Sequence, residues 1–226
     1  MVNLVCNFNL QHYPFDTQYC HFTKVMDETS MEFVVLKPIE VSFIGKRILA
    51  EYKVTRLVSR SDNRSGYSGQ QVIIEFKNMY VLYITSAFIP TLLLIFISYL
   101  TFWFSVENFS DRIMVSLTSL LVLAALYNQI SSSLPNTSYL KLIDVWFLIC
   151  IIFDFIMIVW LVLIDRYITK VSAYKTKCVK FYEMFNSNLL NKLAQIILIV
   201  LMILFVMVYF TYIAIYNENH PAFTEL

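Results

Sequence analysis

The sequence predicts a membrane protein in which part of an extracellular β-domain precedes a bundle of four transmembrane helices. Two cysteines, Cys6 and Cys20, enclose a short segment near the start of the chain, and segments rich in β-branched and aromatic residues follow it. Four apolar segments occupy the remainder. Apolar residues make up 58% of the chain and charged residues 15%, whereas an average soluble protein has about 45–50% and about 25%. This composition excludes an ordinary soluble domain.

Cys6 and Cys20 are predicted to form a disulfide that closes the segment CNFNLQHYPFDTQYC. Disulfides persist in oxidising compartments, so residues 1–20 are expected on the extracellular or lumenal side. Cys150 lies within an apolar segment and Cys178 within a basic loop. Neither has an obvious partner, and both are interpreted as free thiols.

Residues 21–78 are expected to form strands at Met31–Leu36, Ala50–Val58 and Gln71–Phe76. The polar segment SRSDNRSGYSGQ between the last two predicts a long hairpin tip. Within it, Asn63 begins an N-glycosylation motif, for which chance occurrence is the alternative. Three strands cannot close a sandwich. We therefore expect residues 1–78 to be the last part of a larger domain, in a subunit truncated at its N-terminus.

The four apolar segments are predicted to cross the membrane, because a spanning helix needs about 20 mostly apolar residues. The predicted spans are residues 80–104, 113–131, 140–163 and 194–216, which together form a transmembrane domain over 79–226. Lysine and arginine outnumber acidic residues in the loop 164–193. Positive loops stay cytoplasmic, so both termini are expected outside the cell, in agreement with the disulfide.

The second span is unusually polar for a membrane helix. In lipid, such groups usually face a bundle interior or a water-filled cavity. On a helical projection one stripe of this span contains Met114, Thr118, Leu121, Ala125, Asn128 and Ser132. The opposite side is predicted to pack on other helices through Val115, Leu117, Leu120, Val122 and Leu126.

Two interpretations of the stripe remain open on periodicity alone. Several copies around an axis would line a pore, in which Leu121 forms a hydrophobic constriction that gates by dewetting. Alternatively, the polar residues hold neighbouring helices together. At the cytoplasmic end, Asp111 would favour cations and Arg112 anions if it faced the pore axis. The pair could also simply mark the membrane boundary.

Other functional classes receive little support from the sequence. His12, His21 and His220 are not at metal-ligand spacing, and neither a glycine-rich phosphate loop nor a nucleophile elbow is present. We therefore expect no enzyme activity, no cofactor and no metal site. The net charge of +1 gives no reason to expect a nucleic-acid partner.

In combination these features resemble the Cys-loop receptor superfamily of pentameric ligand-gated ion channels. The resemblance covers essentially the whole chain. It rests on the following motifs: Tyr13-Pro14-Phe15-Asp16 inside the cysteine loop, Pro90 in the first span, Leu121 at the centre of the second, Ser133-Leu134-Pro135-Asn136-Thr137-Ser138-Tyr139 before the third, and Asp144-Val145-Trp146 at its start.

The resemblance implies a plasma-membrane pentamer with four further identical or homologous subunits, an extracellular ligand-binding β-sandwich and a small extracellular ligand of unknown identity. The second helix would line the path of permeant ions through Asp111, Met114, Thr118, Leu121, Ala125, Asn128 and Ser132, with Leu121 as the gate. Gating would pass from Pro14, Phe15 and Asp16 to the loop at Pro135, and Lys77 is a hypothetical partner for Asp16.

Ligand and selectivity are predicted from departures from the family pattern. Family members that bind amines usually place an aromatic residue where this chain has Asp27, and Tyr67 is the one aromatic residue of the hairpin tip. Asp27, with Glu28, Glu51 or His21, could sense protons or a metal, or be an ordinary surface group. Asp111 favours a cation-selective channel. A chloride-selective channel and a truncated, non-conducting modulatory subunit are the alternatives. Lysines of the 164–193 loop could also meet membrane lipid headgroups.

Overall fold

The computed structural model describes residues 6–25, 37, 41–61, 68–105, 108–135, 137–172 and 177–219. The chain divides into two compact units, Met1–Leu82 and Tyr83–Leu226. The first contains the described strands and the second the membrane helices.

The first unit contains a three-stranded antiparallel sheet. Its strands are β1 (Thr17–Val25), β2 (Tyr52–Ser61) and β3 (Gly69–Asn78), with β3 in the centre. Ile74 of β3 lies opposite Cys20 of β1 and Leu57 of β2. The register of β2 shifts between Val54 and Arg56.

Two of the predicted strands, Ala50–Val58 and Gln71–Phe76, correspond to β2 and β3, and the third predicted strand, Met31–Leu36, lies outside the described residues. The sequence did not predict β1. One inward position of β1 is Gln18, which is buried and donates a 2.6 Å hydrogen bond from Nε2 to the carbonyl of Asn9. A polar residue at a buried position masks the alternation by which strands are recognised.

The Asp16 carboxylate joins the cysteine loop to the ends of β2 and β3. The Tyr52 hydroxyl donates to Oδ2 at 3.1 Å, Asn78 Nδ2 donates to Oδ1 at 2.9 Å, and Gln18 Nε2 is the third donor. The backbone N–H of Asn78 also donates to the backbone carbonyl of Asp16 at 3.2 Å. Burial, followed by the Asp16 charge, raises the pKa of Tyr52. Asp16 thus receives three uncharged donors.

The second unit consists, in its described part, of four helices long and apolar enough to cross a membrane. They are α1 (Val81–Trp103), α2 (Phe109–Ser133), α3 (Leu142–Ser172) and α4 (Lys177–Asn219). The four predicted spans are confirmed. However, α3 and α4 extend beyond the predicted ends, because the helices continue through polar residues that a count of apolar residues excludes. With 43 residues, α4 is about 65 Å long.

An aromatic cluster packs α1, α3 and α4 together. Trp146 of α3 is fully buried, and its ring centroid lies 4.9 Å from Phe88 of α1 and 4.8 Å from Tyr209 of α4. Its indole nitrogen donates to Thr91 Oγ1 at 3.0 Å. The Tyr209 hydroxyl donates to the Leu142 carbonyl at 3.3 Å. The polar atoms of these large rings therefore have partners, as buried Trp and Tyr require.

Replacement of Asp16 by alanine is expected to destabilise the sheet by about 3 kcal/mol, because it removes the carboxylate that accepts hydrogen bonds from Gln18, Tyr52 and Asn78. Amide hydrogen exchange of β1 and β3 in the solubilised chain measures this change. Lys77→Ala is the matched control, since Lys77 is exposed on the same sheet. Equal protection in Asp16→Ala and the parent chain would contradict the tethering role.

Candidate functional site

Helix α2 is bounded by residues that fix its two ends. Asp111 lies in the first turn, where a carboxylate interacts favourably with the helix dipole. At the other end Leu134 has extended backbone angles, φ −104° and ψ 149°. Pro135 follows it, and proline disfavours a helical conformation in the residue before it. The helix is therefore limited to one membrane span.

The buried face of α2 consists of Arg112, Ser116, Ser119 and Leu123, at successive spacings of one helical turn. This differs from the packing face that the sequence predicted. Leu117 and Val122 are 49% and 41% exposed, so they are not packed against the other helices of the same subunit. Small hydroxyl side chains allow helix backbones to approach closely, and Ser116 and Ser119 occupy the middle of this buried face.

The predicted pore stripe lies on the exposed face of α2 within the single subunit. Leu121 is 71% exposed and Met114 66%. The other five members are also exposed, namely Asp111, Thr118, Ala125, Asn128 and Ser132. The Thr118 hydroxyl donates to the Val115 carbonyl at 2.8 Å, within the same helix. The stripe is thus available to water or to other subunits.

Polar residues of α2 are divided between two faces with different environments. On the buried face, the Ser119 hydroxyl donates to the Leu94 carbonyl of α1 at 3.1 Å, and Ser116 donates to the carbonyl of Arg112 at 3.3 Å. On the exposed face, Thr118 and Ser132 donate only to carbonyls of their own helix. The helix therefore has both a polar contact with its neighbours and a separate polar stripe.

Asp111 and Arg112 are adjacent in sequence but lie in opposite environments. Asp111 is exposed, at the start of the stripe. The Arg112 side chain is 1% exposed, donates from Nε to the Thr101 carbonyl at 3.0 Å and from Nη2 to Asn191 Oδ1 at 2.6 Å. Its guanidinium carbon lies 5.6 Å from the centre of the Phe102 ring. All of these partners are uncharged, so none of them neutralises the arginine.

The Arg112 site depends on residues that the sequence did not single out. Asn191 Nδ2 and Gln195 Nε2 both donate to the Phe102 carbonyl, each at 2.8 Å. Asn191 thereby connects α4 to the end of α1 and to α2. Asn191 and Gln195 are one helical turn apart at the start of the apolar part of α4, and this spacing is the signal that could have identified them.

The residues predicted to couple ligand binding to gating occupy several environments. Pro14 is buried, and Phe15 is half-buried with its ring 5.4 Å from that of Tyr80. Lys77 is exposed. The hydrogen bonds described for the Asp16 carboxylate come from Gln18, Tyr52 and Asn78. Pro135 is exposed, and its carbonyl accepts a 3.1 Å hydrogen bond from Lys141 Nζ.

The predicted ligand residues Asp27 and Tyr67 and the glycosylation site Asn63 lie outside the described residues. Cys6 and Cys20 form the predicted disulfide, with their Cα atoms 5.5 Å apart. Cys150 is a buried free thiol. Within the described ranges, no three His, Cys, Asp or Glu side chains are grouped so that they could hold a metal ion.

Comparison with known proteins identifies a family match over residues 87–195, described as the neurotransmitter-gated ion-channel transmembrane region. The serotonin-gated chloride channel mod-1 of Caenorhabditis elegans is 35% identical over 161 residues, which are 66% of this chain and 32% of that protein. The glutamate-gated chloride channel of Drosophila melanogaster is 30% identical over 161 residues, which cover 68% of this chain and 35% of that protein.

A third relative is the glutamate-gated chloride channel subunit beta of Haemonchus contortus. It is 26% identical over 160 residues, which are 66% of this chain and 37% of that protein. The chain therefore spans about a third of the length of these relatives. All three relatives are named as chloride channels.

Cysteine substitutions should distinguish a water-lined stripe from one that faces lipid. In reconstituted vesicles, a charged thiol reagent is expected to modify Thr118→Cys and Ala125→Cys, because the thiolate requires water. It should leave Leu123→Cys, on the buried face, unmodified, and mass spectrometry of the labelled chain provides the measurement. Protection of Thr118→Cys equal to that of Leu123→Cys would show that water does not reach the stripe.

Proposed function

We propose that this chain, which belongs to the Cys-loop family of neurotransmitter-gated ion channels, contributes α2 as the pore-lining helix of a pentameric chloride-selective channel. The exposed stripe of α2 is the observation that carries this proposal. It is polar at Thr118, Asn128 and Ser132, so contact with lipid would be unfavourable along its length. Five copies around an axis would turn these side chains toward a shared column of water.

Leu121 is proposed to form the gate. It is the most exposed large apolar side chain of α2, and Thr118 and Asn128 lie on either side of it along the stripe. A ring of five such leucines would be an apolar constriction between hydrated segments, which closes by dewetting. A small outward movement of the ring would be sufficient to admit water and ions.

Chloride selectivity replaces the preference for cations that Asp111 suggested. The three relatives are all named as chloride channels. Asp111 is not the only charge at this end of the pore, since Arg112 is buried beside it among uncharged partners. The N-terminus of α2 adds about half a positive charge. Arg112 and the helix N-terminus thus oppose the negative charge of Asp111 at this mouth.

Buried and exposed charges also differ in how strongly their surroundings screen their electric fields. The Arg112 charge acts through a low-dielectric interior, whereas water screens the Asp111 carboxylate. This asymmetry strengthens the positive contribution at the pore mouth. It gives a physical reason for anion selectivity in a chain that has an acidic residue on its pore stripe.

The remaining parts of the proposal concern the whole subunit. Two relatives are named for glutamate and one for serotonin, so we propose a small extracellular transmitter as the ligand and these two compounds as the first probes. The chain is placed in the plasma membrane with both termini outside and residues 164–193 in the cytoplasm. Gating is proposed to pass from the cysteine loop to the loop at Pro135.

The reversal potential of current through the expressed subunit tests selectivity. It is expected to shift by about 59 mV for a tenfold change in chloride, and not when sodium is replaced by a large organic cation. Asp111→Asn should increase the chloride conductance, because it removes a ring of negative charge. Asn128→Ala, an uncharged exchange on the same stripe, should leave the reversal potential unchanged.

A reversal potential that follows sodium would overturn the chloride assignment and support a cation channel. A subunit that carries no current alone but alters the current of a co-expressed relative would instead support the modulatory role.

A further inference from the structure

Asp154 is a carboxylic acid at the centre of α3, in the middle of the membrane-spanning bundle. Its side chain is 0% exposed, and among the described residues neither carboxylate oxygen has a hydrogen-bond partner. The hydroxyl of Ser98, on α1, is also fully buried and has no partner in that part of the chain. Ionisable residues within membrane helices are costly and usually have a function. The pore stripe and the aromatic cluster do not account for Asp154.

Three helices converge at this carboxyl group. Ser98 of α1 and Ser119 of α2 both interact with this carboxyl group, although within the described residues its oxygens have no hydrogen bond of acceptable geometry. Cys150, one turn earlier on α3, is buried beside them. Asp154 is therefore positioned to accept hydrogen bonds from both neighbouring helices after small side-chain or helix movements.

The Ser119 hydroxyl has one proton and two acceptors close by. It donates to the Leu94 carbonyl of α1 at 3.1 Å, and the Asp154 carboxylate of α3 is the second acceptor. A hydroxyl cannot donate fully to both. Ser119 is two residues before Leu121, on the opposite side of the same helical turn, so a rotation of α2 that exchanges acceptors also moves the Leu121 side chain.

We propose that Asp154 is a positioning residue for the gate, because its carboxylate is the alternative acceptor for Ser119. Helix α2 then has two hydrogen-bonded positions, one joined to α1 through Leu94 and one joined to α3 through Asp154. Ser98 donates to Asp154 when Ser119 does not. This inference rests on the proposed function of α2. Such a pair of discrete arrangements is the physical requirement for coupling between helix packing and a gate.

A purely structural role would produce a different pattern of mutant effects. If Asp154 only holds the three helices together, its loss lowers the stability of every state and leaves the ratio of open to closed channels unchanged. If it selects between positions of α2, its loss changes that ratio, and the change depends on Ser119. A double-mutant cycle on gating separates these cases.

The experiment uses a channel that opens without ligand. Leu121→Ser replaces the apolar constriction by hydroxyls and is expected to give spontaneous current, because a polar ring is easier to wet. In this background Asp154→Leu should change the open-to-closed ratio at least about threefold. In the presence of Ser119→Ala, the same substitution should have little effect. Asp154→Asn, which retains an acceptor oxygen, should restore part of the parent ratio.

Ser116→Ala is the matched control for Ser119→Ala. Ser116 is also buried on α2, but its hydroxyl donates to the carbonyl of Arg112 within the same helix, at 3.3 Å. The changes that Ser116→Ala and Asp154→Leu cause in the open-to-closed ratio should therefore multiply in the double variant, as for independent sites. If the changes caused by Ser119→Ala and Asp154→Leu also multiply, the proposal is overturned.

Failure of the proposed function would be recognised separately. If Leu121→Ser reaches the cell surface without current, the channel assignment of the chain is contradicted. The position of α2 is then measured by chemical modification of a cysteine at position 121. The rate at which a charged reagent modifies Leu121→Cys in vesicles should then change at least about threefold with Asp154→Leu, but not when Ser119→Ala is also present. Equal rates in all four variants would reject the role of Asp154 even there.

Discussion

The fold of the membrane unit depends on one constraint, which is that a polar helix cannot be surrounded by lipid. Helix α2 meets this constraint with two faces. Arg112, Ser116 and Ser119 contact the interior of the subunit, while Thr118 and Asn128 are exposed. The interior of one subunit satisfies only the first face. In the pentamer that we propose, the second face would be in contact with water, and further subunits would keep lipid away from it. Assembly and ion conduction would then have a common physical origin.

The same constraint explains why neighbouring charges have different roles. Arg112 is desolvated, and uncharged partners from α1 and α4 satisfy its donors, so its charge persists and anchors three helices at one end. Asp111, rotated by about 100° on the helix, remains at the surface. A prediction of ion selectivity that considers only the exposed Asp111 omits the buried charge beside it.

Properties that depend on local periodicity could be predicted from the sequence, whereas those that depend on distant partners could not. The four spans, the disulfide and the exposed stripe of α2 follow from length, spacing and alternation. Asn191, the partner of Arg112, is 79 residues away, and Asn78, a partner of Asp16, is 62 residues away. Such pairs become apparent only when the helices or strands are packed. Asp154 is different, since a charged residue inside an apolar span is visible in the sequence itself.

Asp16 and Asp154 illustrate two uses of a buried carboxylate. Asp16 receives three donors from fixed positions at the ends of the strands, so any displacement breaks a charge-assisted hydrogen bond, and the cysteine loop is held in one place. Asp154 interacts with two hydroxyls, but within the described residues its oxygens have no hydrogen bond of acceptable geometry, so a displacement of α2 can form a bond as readily as it breaks one. A fully satisfied carboxylate favours one arrangement of its surroundings, whereas an incompletely satisfied one between three helices permits two. The second kind suits the movement of α2 that we propose.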